Sequence, residues 1–489
     1  MYHLSLEEAR VLAHEKNCKV LPLSKEIYSD IRTPIEVLRI LKNVSNHCYI
    51  LESAEDRERW GRYTFLGYDP TLELVVRNGH MTINNGTKIE IDTKHPKERI
   101  QKIIEENRSI RLEGLPPFTG GLVGYFSYDY MKYAEPSLIL DAEDKEGFND
   151  ADLMLFDKVI AFDHLKQKIF LIVNIRTEQL DTEYERGILE LEQMEKLIRY
   201  GKKKEIEPSH ITSDFKALFN KNDYCNMVER AKEYIREGDI FQVVLSNRLE
   251  ADFEGSLFDT YRVLRTLNPS PYMFYFSSDD LEVAGASPET LVKLEGDVLH
   301  TFPLAGTRPR GKTEEEDLLL ERELLADEKE LAEHNMLVDL GRNDIGKISE
   351  FGSVKVEKYM SVERFSHVMH IGSTVRGTLR KDLSALDAID SILPAGTLLG
   401  APKIRACEII NELEGNKRGI YGGAIGYIDF TGNLDTCIAI RFAYKKNGKV
   451  FIRSGAGIVA DSVPETEYQE CINKAGAVRK ALELGEGEM

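Results

Sequence analysis

Apolar residues along the chain change their period repeatedly, and each change predicts an element. Ser5-Leu6-Glu7-Glu8 has the spacing of a capping box, which predicts a helix start. Runs rich in β-branched and aromatic residues follow at Cys48-Tyr49-Ile50-Leu51, Leu72-Glu73-Leu74-Val75-Val76 and Met81-Thr82-Ile83, with Asn84-Asn85-Gly86 as a turn; these read as strands. Gly120 to Tyr128 reads as another strand, and its glycines imply close backbone approach. A helical run ends near Tyr200, and the charged, proline-broken stretch 201–209 is the best linker candidate. Beyond it, Tyr224, Met227, Val228, Ala231, Tyr234 and Ile235 recur at helical spacing up to Gly238, and Ile240 to Leu245 reads as a buried strand.

The second half mixes strands (Val292 to Leu294, Ile420 to Phe430, Thr436 to Tyr444, Lys449 to Ser454) with long helices at about Glu314 to Leu340 and Glu465 to Leu484. Hairpin-like spacing favours antiparallel sheet, so the expected class is α+β rather than doubly wound. The pattern divides into an amino-terminal segment, 1–205, and a second region, 216–489.

Composition narrows the function. With 489 residues the chain suits two or three domains or one large two-layer body. A formal net charge of −19 argues against nonspecific nucleic-acid binding, which needs surplus Lys and Arg to release phosphate counterions. An anionic small molecule would need a local cluster of positive groups or a metal. No apolar run approaches eighteen residues, and Met1 to Arg10 carries acids where a signal peptide would be basic and then apolar, so a cytoplasmic location is expected. Six scattered cysteines lack a Cys-x-x-Cys pair and read as reduced, structural thiols.

Several residues have the chemistry for a site. Glu330 and Glu333, three apart, project from one helical face, and Glu467 and Glu470 repeat the spacing with Lys474 a turn further on. Such pairs suit Mg²⁺ held through one or two oxygens, or simply a solvated face. Ser454-Gly455-Ala456-Gly457-Ile458 follows a strand and reads either as an anion-binding nest or a plain strand-end turn. Arg441, in an apolar strand, needs an acid, which a structural Asp or Glu or a ligand carboxylate would supply. His370 sits in apolar surroundings, where a lone histidine is more often a core residue than a base.

Taken in order, a series of blocks resembles the chorismate-utilising enzymes: Gly238 to Val244, Ala286-Ser287-Pro288-Glu289-Thr290, Pro303 to Arg310, Ala332 to Asp344, Phe365-Ser366-His367-Val368, Pro394-Ala395-Gly396-Thr397, Tyr421-Gly422-Gly423, the 455–457 glycines and the Glu467-Glu470 helix. They cover essentially all of 216–489. The resemblance implies two large antiparallel β-sheets, packed orthogonally and flanked by helices, with amino-terminal strands joining that body. It implies Mg²⁺ held by Glu333 and Glu470, with Glu330 and Glu467 completing an acidic shell. Chorismate would meet Gly306, Thr307, Tyr421, Arg441, Gly455, Ala456, Gly457 and Lys474. Glu289 matches the family's general acid, and His370, with Thr397 nearby, would assist a later step.

Two positions separate the branches of the resembling family. Isochorismate and salicylate synthases carry a lysine base where this chain has Gln242, and an amide cannot deprotonate water. Aminodeoxychorismate synthases carry a nucleophilic lysine where this chain has Ala305. The anthranilate synthase branch remains, implying conversion of chorismate and ammonia to anthranilate and pyruvate, the first step of tryptophan biosynthesis. Leu51-Glu52-Ser53 and Pro271-Tyr272-Met273 resemble two walls of that branch's tryptophan inhibitor site, with Glu52 expected to take the amino group and Arg62 the carboxylate. No cysteine has the glycine-flanked setting of a glutaminase nucleophile, so ammonia is expected from a separate glutamine amidotransferase subunit, making a hetero-oligomer.

Overall fold

A computed structural model describes residues 4–54, 61–364 and 368–486. Phe365, Ser366 and His367 of the quoted block lie outside the described residues. Two antiparallel sheets, of thirteen and twelve strands, form the body. The main path of the first begins with five amino-terminal strands and passes from Cys48–Glu52 to Tyr272–Ser277, where Glu52 stands opposite Met273. It continues through Leu281–Ser287, Phe442–Lys446 and Lys449–Ile458 to Gln242–Glu254. The second sheet makes its own junction at Gly121–Phe126 against Ala424–Asp429. Strands from 1–205 and from 216–489 are therefore partners in both sheets.

The glycines of the second junction are there for lack of room. A Cβ on Gly121 would stand 2.2 Å from the Ile428 carbonyl oxygen, and one on Gly124 would stand 2.0 Å from that of Asp152. The sheets share one apolar core, in which Tyr49 meets Phe156 with ring centres 4.7 Å apart and Tyr125 meets Phe276 at 6.2 Å. Helices including Leu180–Tyr200, Phe258–Leu267 and Pro464–Gly485 cover the other face of the first sheet. Among the described residues no helix is long and apolar enough to cross a membrane, and all six cysteines are free.

The capping box at Ser5 and Glu8 forms and starts the helix Leu6–Lys16, while Gly238 closes Lys221–Glu237 in the left-handed conformation at φ 85°. Three expectations need correction. The apolar run Thr436 to Tyr444 is not one strand: Leu434–Ile438 belongs to the second sheet and Phe442–Lys446 to the first. The chain crosses between sheets at Arg441, at φ 55°, a turn that periodicity does not encode. The long helix from Glu314 is two, Glu314–Ala326 and Glu328–Gly346, because Asp327 leaves helical geometry and caps the second by accepting from the backbone of Lys329 and Glu330. The glycine segment is no strand-end turn either, since the strand Lys449–Ile458 runs through it. The stretch 201–209 carries no regular structure, but it is packed down: Lys204 bonds Arg39 through the backbone and Ser209 is fully buried.

One buried ionic cluster ties the strands together near their cavity ends. Glu414 pairs with Arg418 at 2.5 Å and Arg453 at 3.1 Å, and accepts from the Ser246 backbone at 2.7 Å. Arg418 also donates to the carbonyls of Leu398 and Val244, both at 2.7 Å. Burial pushes the Glu414 carboxyl up, but Arg418 and Arg453 outweigh it and hold it below the usual range. Removing the acid strands two buried cations, so Glu414→Gln is expected to destabilise the fold by about 3–5 kcal/mol in urea unfolding. A loss below about 1 kcal/mol, the level of a surface pair, would contradict that reading.

Candidate active site

A cavity of about 560 Å³ opens between the carboxy-terminal ends of the two sheets and two helices. Helix Glu328–Gly346 contributes Glu330 and Glu333; helix Pro464–Gly485 contributes Glu467, Glu470 and Lys474. Gly306 and Thr307 come from Leu304–Pro309, and His370 comes from the neighbouring strand Val368–Thr378. Glu289 sits in the bend before Thr290–Glu295, and Gln242 opens its long strand. Thr397, Tyr421 and the crossover residue Arg441 complete the predicted set. Ala456 is the exception: alternation along its strand turns the side chain away, and it is fully buried outside the cavity wall.

Backbone geometry makes the two flanking glycines useful. Gly457 pairs with Val244 and Gly455 with Ser246. The Val244 and Ser246 N–H groups donate elsewhere, to Leu399 and Glu414, which identifies these as the non-hydrogen-bonded pairs of the ladder. Hence the polar backbone of Gly455 and Gly457 points the other way, past Ile452, the last residue there to pair with Phe442–Lys446. A Cβ on Gly455 would come within 2.8 Å of the Leu245 carbonyl oxygen, and one on Gly457 within 2.7 Å of the Gln242 amide nitrogen. Gly306, at φ 64°, holds its carbonyl 2.7 Å from His370 Nδ1.

The charges are unbalanced on both walls. Arg441 donates to the Lys474 carbonyl at 2.6 Å, and among the described residues it has no ion pair. Burial lowers its pKa, and Tyr421 and Glu470 only partly offset this. In the same cavity, burial and then Glu330 push the Glu333 carboxyl up, Lys474 and Lys329 pull it back, and Glu470 adds to the rise. Glu467 is raised by burial and Glu470. Lys474 pairs with Glu470 at 2.6 Å. Among the described residues no three His, Cys or acidic side chains converge closely enough to hold a metal unaided. Two helices nevertheless bring repelling carboxylates into one cavity, which suits Mg²⁺ held by one or two of them together with substrate oxygens.

Glu289 is enclosed deeply enough that burial pushes its carboxyl up to about 8, against smaller lowering from Thr397 and Lys474. Burial also lowers His370, with Gly306 opposing and Arg441 adding. A carbonyl only accepts, so Nδ1 carries the proton in that contact and Nε2 is the basic nitrogen. Lys329, which sequence reading passed over, also lines the cavity; its place four residues before Glu333 on one helix was the available signal.

A second cavity, of about 140 Å³, collects Leu51, Glu52, Ser53, Pro271, Tyr272 and Met273. Glu52 is already engaged: Arg265 bonds both its oxygens, Tyr261 donates at 2.6 Å and Thr64 at 3.3 Å. Arg62 is not in the wall. It pairs with Asp163 at 2.9 Å, while Arg111 and Lys293 are the cations that line this cavity. Tyr272 donates to Asp435 at 2.8 Å. These partners come from distant segments, and no local spacing announces them.

The chain belongs to the chorismate binding enzyme family, which it matches over residues 46–480. It is 46% identical to anthranilate synthase component 1 of Acetivibrio thermocellus, covering 99% of both chains, and 46% identical to that of Aquifex aeolicus, covering 99% of this chain and 98% of the other. The crystal structure of anthranilate synthase component I from Streptococcus pneumoniae superposes with a TM-score of 0.74 at 40% identity, over 85% of this chain and 92% of that one. The menaquinone-specific isochorismate synthase of Escherichia coli shares the fold at 19% identity, with a TM-score of 0.70 over 98% of each chain.

Because folding raises the Glu289 pKa from 4.5 to about 8, the native state binds an extra proton between those values, and this group's contribution to stability falls as pH rises through that window. Glu289→Gln removes the titration. The stability difference between wild type and variant, from urea unfolding at several pH values, should shift against wild type from pH 5 to 8; a pH-independent difference would contradict the assignment.

Proposed function

We propose that this chain is the large subunit of an anthranilate synthase, a Mg²⁺-dependent lyase that converts chorismate and ammonia to anthranilate and pyruvate in the first step of tryptophan biosynthesis. The observation that carries the reading is the charge imbalance of the main cavity: a half-buried guanidinium, with no ion pair among the described residues, shares the cavity with four carboxylates. Chorismate has two carboxylates. One meets Arg441, Lys474 and the backbone of Gly455 and Gly457, a charge-assisted and partly bidentate arrangement. Glu333 and Glu470, with Glu330 and Glu467 in the same cavity, would hold Mg²⁺, which would supply a Lewis acid for the other carboxylate.

Glu289 is neutral at pH 7 and so retains the proton that the departing C4 hydroxyl needs while ammonia adds at C2. Aminodeoxyisochorismate then loses its C2 proton and its side chain as pyruvate, and His370, oriented by Gly306, is the base that assists. Gln242 and Ala305 both line the cavity, so neither a lysine base for water nor a lysine nucleophile is present at those places. Ammonia comes from a glutamine amidotransferase subunit, which makes the working enzyme a cytoplasmic hetero-oligomer. Tryptophan binds in the second cavity and inhibits by favouring an arrangement it binds more tightly. Its amino group is better served by Asp435 or Glu295 than by the already neutralised Glu52.

Chorismate, ammonium and Mg²⁺ should give anthranilate fluorescence, and Glu333→Gln and Glu470→Gln should each cut kcat/KM by about 100-fold or more, roughly 3 kcal/mol. Aminodeoxychorismate as product, or undiminished rates in both variants, would overturn the reading. Ser53→Phe should raise the tryptophan concentration for half-inhibition about tenfold or more; unchanged inhibition would remove the second cavity from the account.

A further inference from the structure

Directly behind Glu289 lies a small second chamber of about 40 Å³, which shares Glu289, Thr397 and Leu337 with the main cavity. Its far wall holds Asp344, on the last turns of helix Glu328–Gly346. Asp344 is only 4% exposed, yet its Oδ1 has no hydrogen-bond partner among the described residues, and the hydroxyl of Thr397, which lowers the Glu289 pKa, lines the same chamber. An unpaired buried carboxylate oxygen is costly, and one beside a chamber shared with Glu289 and Thr397 points to water there. A buried water needs roughly 10–15 Å³ of such space, so the chamber has room for two or three.

Asp344 also faces outward. Its Oδ2 accepts from Lys403 Nζ at 3.3 Å, and Lys403 in turn donates to the Ile392 carbonyl at 2.8 Å. Lys347, whose side chain is 48% exposed, places its ammonium 3.9 Å from Oδ1. Polar groups thus lead from the surface at Lys347 through Asp344 to the chamber that Glu289 also lines.

We propose that Asp344 relays protons between solvent and Glu289 through water in the rear chamber. The proposal rests on Glu289 acting as the acid. In the addition step Glu289 gives its proton to the C4 hydroxyl, the C–O bond breaks and water leaves. The Glu289 carboxylate takes a proton from chamber water, which takes one from the Asp344 carboxyl, and Asp344 is reprotonated from solvent. The proton shed by the new C2 ammonium returns to solvent, so the cycle needs no further reactant. Burial raises the Asp344 pKa against Lys403 and Lys347, which keeps its protonated form accessible.

Asp344→Asn keeps the volume and the acceptor for Lys403 but cannot carry the proton. In the ammonium-dependent assay, kcat should fall about tenfold or more with KM for chorismate unchanged, and the solvent deuterium isotope effect on kcat should rise about 1.5-fold or more. Unchanged kcat, or a fall with the wild-type isotope effect, overturns the relay. Thr397→Val removes the hydroxyl that lines the chamber beside Glu289 and should raise the isotope effect as well; if the Asn variant does not fold, a wild-type isotope effect in Thr397→Val overturns the proposal. Failure of wild type to make anthranilate would instead overturn the proposed function, so the two outcomes are distinct.

Discussion

A guanidinium half-buried in a cavity wall without an ion pair awaits an anion, and Arg441 is held in that condition by the fold itself. It occupies the point where the chain leaves the second sheet for the first, in a left-handed turn, with a single backbone carbonyl at 2.6 Å. Two helices bring carboxylates into the same cavity, where burial and mutual repulsion raise Glu333 and Glu467. Charges of both signs are thus left unsatisfied in one cavity, and the proposed dianion and divalent cation would satisfy both.

Two features maintain that arrangement. The sheet crossover fixes Arg441 between strands that belong to different sheets, and the Glu414–Arg418–Arg453 cluster anchors Val244 and Leu398, which line the cavity, together with Ser246. The second cavity is built on the first sheet's junction between its amino-terminal and carboxy-terminal strands, Cys48–Glu52 against Tyr272–Ser277. Tyr272 there lies 3.0 Å from the Thr290 hydroxyl, and Thr290 is the residue after Glu289. One hydrogen bond and one step along the chain therefore link the two cavities, the route by which the proposed inhibitor would act.

Much of this was legible in the sequence because it is local. Capping at Ser5, the stop at Gly238, the carboxylate spacing in two helices and the ordered blocks each depend on neighbours within a few positions. The residues that the resemblance picked for the main site line one cavity, except Ala456, since a strand shows alternate residues to opposite faces. What could not be read was tertiary choice. Apolar periodicity from Thr436 to Tyr444 does not say that the chain changes sheets at Arg441, and nothing near Glu52 in sequence announces Arg265 and Tyr261 as its partners. Arg62 was an available cation, but Asp163, a hundred residues away, takes it.

The most direct test is to titrate chorismate into the protein calorimetrically without ammonia, once with Mg²⁺ and once with EDTA. If the cavity's unsatisfied charges await a dianion and a divalent cation together, Mg²⁺ should tighten chorismate binding by about tenfold or more, roughly 1.4 kcal/mol. Equal affinity in Mg²⁺ and in EDTA would contradict the account.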